Sequence, residues 1–175
     1  MRKKGCSKAL RDHADITEAV NVYGDTVMRA CAVHLRQQAD RDDVFQETFL
    51  RYAQHDGAFN GEEHRKAWLI RVAVNVCKDL HKRADRKHSS LEEEGGSENP
   101  ALATVDTTSA STQALDLQEA LQQIDEKYRT VLYLKYYEGY NAAEIGQMLG
   151  QPENTVYTNL ARGRKALKEV LAHGD

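Results

Sequence analysis

Apolar side chains return every three to four positions near the start of the chain. Ile16, Val20, Tyr23, Val27 and Ala30 lead to His34, the rhythm that turns one side of an α-helix toward a core. Asp15 and Glu18 stand three apart at its beginning and fit a capping box, so the helix is expected to open there. A second helix follows in "DDVFQETFLRYAQ", with Phe45, Phe49 and Tyr52 on one side. Its other side gathers Asp43, Gln46, Glu47 and Leu50 within about 100° of arc; by itself that side reads as a solvated face. A third helix puts Leu69, Val72, Ala73, Val76, Cys77 and Leu80 inward. Opposite them Arg71, Asn75, Lys78 and Lys82 recur at i, i+4, i+7 and i+11 as one stripe, with Trp68 at its border.

The last third of the chain divides into four helical pieces. Asp125 can cap the second of them and Gly139 ends it. Asn141 and Glu144 form a capping box for a short helix through Ile145 and Leu149, Gly150 stops that helix, and Pro152 suits the first turn of the next. Two helices joined by a tight Gly turn, the second one basic, make a helix-turn-helix. Val156, Leu160, Gly163, Leu167 and Leu171 line its inner side, and Gly163 lets helices approach closely. Tyr157, Thr158, Ala161, Arg162 and Lys165 face outward, where a recognition helix meets the major groove.

Between these halves, "SSLEEEGGSENPALATVDTTSASTQ" has no aromatic residue and no sustained apolar period. The reading is an all-α protein: a first helical domain at 1–88, a flexible acidic linker at 89–113 and a helix-turn-helix domain at 114–175.

Charge sharpens this division. The chain is acidic overall, at −3. Residues 1–88 nevertheless carry 17 Lys and Arg against 13 Asp and Glu, residues 89–113 none against 5, and residues 114–175 carry 7 against 9. Within the flanks, "HRKAWLIRVAVNVCKDLHKRADRKH" holds 8 basic residues to 2 acidic, and "TVYTNLARGRKALK" holds 4 to none. Two basic patches on two domains suit one polyanion gripped at two places. A cationic stripe interrupted by Asn75 and edged by Trp68 suits a nucleic-acid strand, because cations meet phosphates while the amide can reach a base edge.

Composition excludes other classes. A mean hydropathy of −0.69 and an apolar run broken at Arg71 leave nothing near the roughly 20 residues of a membrane span. The basic N-terminus has no apolar stretch behind it, so the cytoplasm is expected. Three widely spaced cysteines, Cys6, Cys31 and Cys77, indicate a reducing compartment and no disulfide framework. Cys77 and His81 offer two metal ligands where three or four are needed, so no metal or other cofactor is expected.

"DRDDVFQETFLRYAQ" followed by "KAWLIRVAVNVCKDLHKR" closely resembles the promoter-melting domain of bacterial RNA polymerase sigma factors, and "RTVLYLKYYEGYNAAEIGQMLGQPENTVYTNLARGRKAL" resembles their C-terminal promoter-binding domain. With only these two domains the chain looks like the extracytoplasmic-function (ECF) class, over roughly residues 16–88 and 114–172. The resemblance implies that Asp43, Gln46, Glu47 and Leu50 dock on a coiled coil of the polymerase largest subunit, which displaces the solvated-face reading. It implies that the third helix and the loop before it read the −10 element as a single strand, with Arg71 and Asn75 on the strand and His64, Arg65 and Lys66 in or near the loop; Trp68, Lys78 and Lys82 join the candidate contacts as the rest of the stripe. It implies that the last helix reads the −35 element as duplex through Tyr157, Thr158, Asn159, Arg162 and Lys165. Core RNA polymerase and promoter DNA are the implied partners, with an anti-sigma factor as a further candidate.

The sequence departs from the family at Pro152, where Ser or Thr is frequent, and at Tyr157 and Asn159, where Lys or Arg is frequent. Fewer cations imply weaker nonspecific phosphate attraction, and the −35 sequence cannot be borrowed from relatives. Many members also have Pro near Asp125. The expected function is promoter-specific initiation with no catalysis by this chain, since no GxxxxGK, HExxH or Ser-nucleophile motif is present. A stand-alone helix-turn-helix regulator is the alternative, but it leaves "DVFQETF" and the basic stripe without a task. Paired carboxylates such as Asp42 and Asp43 point about 100° apart and make a poor catalytic dyad.

Overall fold

The computed structural model describes residues 10–89 and 112–172. The readings placed on the N-terminal basic segment with Cys6, and on the linker acids Glu92, Glu93, Glu94, Glu98 and Asp106, lie outside the described residues. Everything described is helix or short connection: α1 (His13–His34), α2 (Gln38–Ala53), α3 (Gly61–Ser89), α4 (Thr112–Gln123), α5 (Glu126–Leu132), α6 (Ala142–Leu149) and α7 (Glu153–Ala172).

Helices α1, α2 and α3 close on one another around Val27, Val44, Thr48, Tyr52, Leu69, Ile70 and Val74, all fully buried. Each large aliphatic side chain removed from water in this way contributes about 1.5–3 kcal/mol. Ile70 and Val74, beside the predicted inner row of α3, widen its buried face. The start of α1 differs from expectation. The helix begins after Asp12, which gives no side-chain cap, and the box of Asp15 and Glu18 does not form. Asp15 has charged partners from elsewhere in the domain, and these win over the local amide.

The second domain follows its punctuation more closely. Asp125 Oδ1 accepts from the Lys127 amide at 3.0 Å and caps α5. The chain then widens into a π-helical turn, Tyr133–Tyr137, which sequence periodicity did not foresee. The capping box of α6 is complete, with the Glu144 amide donating to Asn141 Oδ1 at 2.9 Å and the Asn141 amide donating to Glu144 Oε2 at 2.7 Å. Gly150 leaves α6 at φ +65°, a left-handed conformation that favours glycine. Pro152 sits one position earlier than expected: its carbonyl accepts the first helical bond of α7, from the Val156 amide at 3.2 Å, so it is the N-cap residue. A Cβ at Gly163 would lie 3.1 Å from Tyr128 Cβ and 3.2 Å from Leu132 Cδ1, closer than ordinary van der Waals contact, so the glycine marks where α7 packs tightly on α5. Leu171, expected inside, is 44% exposed near the end of α7.

The two domains meet. The carbonyls at the end of α1 lack helical donors, and the second domain supplies them: Gln118 and Gln122 Nε2 donate to Ala32 O at 3.2 and 3.1 Å, and Arg129 Nη1 donates to His34 O at 3.2 Å. The His34 side chain is wholly buried at this joint. Burial, with the adjacent Arg129 cation and to a lesser degree Lys78 and His81, lowers its pKa to about 3 against the pull of Glu126. The ring is thus neutral in the folded state and gains a proton on unfolding below about pH 6.5. Its contribution is full above that pH and is lost as pH falls toward 3, at up to about 1.4 kcal/mol per pH unit. Urea unfolding of the wild type is expected to lose about 2 kcal/mol more than His34→Gln between pH 7 and pH 5. Equal losses in the two proteins would assign acid sensitivity to other groups.

Candidate nucleic-acid interface

The basic stripe of α3 forms as its spacing demands. Arg71, Asn75 and Lys82 are exposed and Lys78 is partly so, while Leu69, Ala73 and Cys77 are buried behind them. The loop between α2 and α3 is built from aromatic rings and one ionic network. Phe59 stacks on Tyr52 at 5.9 Å between centroids and meets Trp68 edge-on at 5.7 Å, and His55 lies 4.7 Å from Trp68. Arg11 crosses this loop, its Nη2 donating to Gly57 O at 2.5 Å and its guanidinium lying 4.8 Å from the Phe59 ring. Trp68 is thereby held at the mouth of the loop, at the upper end of the stripe.

Arg65 is a correction. It was expected near the DNA surface, but its side chain is only 9% exposed. Its Nε donates to the Tyr52 hydroxyl at 2.8 Å and its Nη2 to Asp15 Oδ1 at 2.8 Å, while the Tyr52 hydroxyl donates to Asp15 Oδ2 at 2.9 Å. Burial first, and then the bond to Asp15, push the Tyr52 pKa up, so the phenol keeps its proton and remains a donor. This triangle ties α1, α2 and α3 together, and with Nη1 3.7 Å from Glu62 Oε1 the guanidinium is turned into its own domain and flanked by carboxylates. Its neighbours differ: His64 is exposed and accepts from the Asn60 amide at 3.0 Å, and Lys66 reaches the second domain, where Nζ lies 2.9 Å from Glu138 Oε2.

On α7, Tyr157, Thr158, Ala161, Arg162 and Lys165 are exposed on one side. Asn159 is the second correction: it is 8% exposed and lies on the inner face with Val156, Leu160 and Gly163. The helical wheel carries that signal, since positions 156, 159, 160 and 163 share one side. On α2, Asp43, Gln46 and Leu50 are exposed, Leu50 by 56%, and Glu47 is half-exposed with an ion pair to Arg51 at 2.7 Å.

No helix among the described residues is long and apolar enough to cross a membrane. The family model for sigma-70 region 2 matches residues 19–87, and that for sigma-70 region 4 matches residues 114–167. The ECF RNA polymerase sigma factor SigW of Bacillus subtilis is 29% identical over 97% of this chain and 92% of its own length. SigL of Mycobacterium tuberculosis, also an ECF RNA polymerase sigma factor, is 34% identical over 76% of this chain and 75% of its own. Among solved structures, the sigma factor RpoE bound to the anti-sigma factor NepR from Bartonella quintana superposes with a TM-score of 0.72 at 19% identity, covering 90% of this chain and 97% of that one. CnrH in complex with the cytosolic domain of CnrY gives 0.63 at 22% identity, covering 94% and 92%. At those identities the structural likeness concerns the fold.

Proposed function

Because the chain belongs to the ECF class of RNA polymerase sigma factors, we propose that it binds core polymerase through α2 and directs initiation by reading promoter DNA at two places. The observation that carries this reading is the pairing of two exposed cationic surfaces, one on α3 and one on α7, with a third, acidic and apolar surface exposed on α2. The exposed side of α7 presents Tyr157, Thr158, Arg162 and Lys165 to duplex DNA in the −35 region. Loop and stripe present His64, Lys66, Trp68, Arg71, Asn75, Lys78 and Lys82 to the −10 strand. The aromatic side chain offers a stacking plane for an unpaired base, and the cations neutralise phosphates on either side.

The protein's contribution is binding energy, taken from duplex, strand and polymerase together and used to hold DNA open. Phosphoryl transfer belongs to the polymerase. The cytoplasm, where core polymerase works, is the compartment this role requires. RpoE was solved with an anti-sigma factor, and a partner of that kind is part of the proposal for this chain. A stand-alone regulator would need the helix-turn-helix but has no use for the α2 face.

Docking is tested by reversing charge on that face. Asp43→Arg and Glu47→Lys are expected to abolish capture by core polymerase while thermal unfolding stays within about 0.5 kcal/mol of wild type, as for exposed positions generally. Full retention of capture by both variants would remove the α2 assignment.

A further inference from the structure

Arg11 stands just ahead of α1, yet it is spent on the loop between α2 and α3, residues 54–60. Its backbone amide donates to Ala53 O at 2.8 Å, at the end of α2. Its side chain then turns along the loop: Nη2 donates to Gly57 O at 2.5 Å and Nη1 to Asp15 Oδ2 at 3.2 Å. The guanidinium carbon lies 4.7 Å from the centre of the Tyr52 ring and 4.8 Å from that of Phe59. One planar cation thus joins a loop carbonyl and a loop ring to Asp15, the carboxylate that Tyr52 and Arg65 already hold. The side chain is only 19% exposed, with Nε buried. A lysine has neither the plane to lie against the rings nor the fork to span Gly57 and Asp15. Phe59 carries the order onward, meeting Trp68 edge-on and lying 5.6 Å from the His64 ring.

We infer that Arg11 is a positioning residue for the −10 strand: without touching DNA, it holds the loop at 54–60 in the shape that decides which unpaired base is accepted beside Trp68. This rests on the assignment of Trp68 and the loop to that strand. Stacking on an aromatic plane tolerates every base, because every base has a π-face. Discrimination comes from groups that meet the edges of the base, and these must stand at a fixed distance from the plane. Trp68 is carried by α3, whereas the edge groups belong to the loop. Gly57 has no side chain with which to pack, and the bond from Arg11 anchors it instead. Loss of Arg11 therefore leaves the stacking plane in place and loosens the edge, so selectivity falls while the strand is still held.

Transcription with core polymerase, on a promoter recovered with the wild type and randomised across −10, reads this split. In Arg11→Ala, base preference at one or two adjacent −10 positions should flatten about fivefold, while preference at −35 and capture by core polymerase stay at the wild-type level. Arg11→Lys should fall between. Phe59→Leu should flatten the same positions, and the double variant should add little further, because both residues act through one loop. Trp68, the only tryptophan of the chain, gives a readout without polymerase or DNA. Its acrylamide quenching should rise about twofold in Arg11→Ala as the loop rings leave it, with a melting temperature within about 5 °C of wild type. Arg11→Gln keeps the test available if the Ala variant does not fold. Unchanged −10 preference overturns the inference, whether or not quenching rises. So does a uniform loss of transcript with preference intact, which would make Arg11 a support of the fold or a phosphate contact. A wild type that directs no transcription would instead remove the sigma-factor reading, and quenching would still decide whether Arg11 holds the loop.

Discussion

Arg65→Ala is expected to unfold the first domain rather than merely to weaken its hold on DNA. The guanidinium sits between Asp15 and the Tyr52 hydroxyl at 2.8 Å from each, and the variant leaves a partly buried carboxylate and a buried phenol facing a void. Removing one partner of a buried ion pair costs about 3–5 kcal/mol, a large share of the roughly 5–15 kcal/mol by which small proteins are folded. Thermal melting should lose its cooperative transition or move down by more than 10 °C, on the order expected for a domain of this size. Arg65→Lys keeps the charge but cannot span both acceptors, and should fall between the two. If Arg65→Ala instead melted like wild type and lost only strand binding, the residue would be a surface contact after all.

Arg129→Ala should be comparably damaging, by a different route. Its side chain bridges four carbonyls: Leu121 O from Nε at 2.7 Å, Gln122 O and Ile124 O from Nη2 at 3.0 Å each, and His34 O from Nη1 at 3.2 Å. Three of these close the end of α4, and the fourth belongs to the other domain. Charged hydrogen bonds contribute about 1.5–3 kcal/mol apiece but are not additive, so a loss of about 3–5 kcal/mol is expected, at the upper end for single substitutions. Because one bond crosses the joint, the radius of gyration from small-angle scattering should also grow under conditions where the variant is still folded. A variant that melts early with unchanged dimensions would confine Arg129 to the second domain.

These two arginines mark where the sequence stops being informative. Local punctuation was readable because its partners are local: Asn141 and Glu144 reach each other across one turn, Gly150 turns the chain by itself, and the Arg71, Asn75, Lys78 and Lys82 stripe needs only the helical pitch. Arg65 reads as one more cation in a basic run, since the partners that bury it lie 13 and 50 positions away. The same long-range pairing took Asp15 out of its capping box. Glu138 looks like a solvent acid behind a helix, and only the π turn and the meeting of the domains bring it to Lys66. Asn159 is a different kind of miss. It was assigned outward by likeness to the family, while the period of its own helix had already placed it inside.

The most direct test of the whole reading is transcription reconstituted from core RNA polymerase and this protein alone on a genomic fragment library. Discrete start sites should appear only when the protein is present, each preceded by a shared pair of sequence elements near −10 and −35. They should vanish with Asp43→Arg, and Asn75→Ala should lose permanganate reactivity around −10 while duplex binding persists. A protein that binds specific duplex sites yet gives no transcript with core polymerase would be a stand-alone helix-turn-helix regulator, and the sigma-factor reading would be wrong.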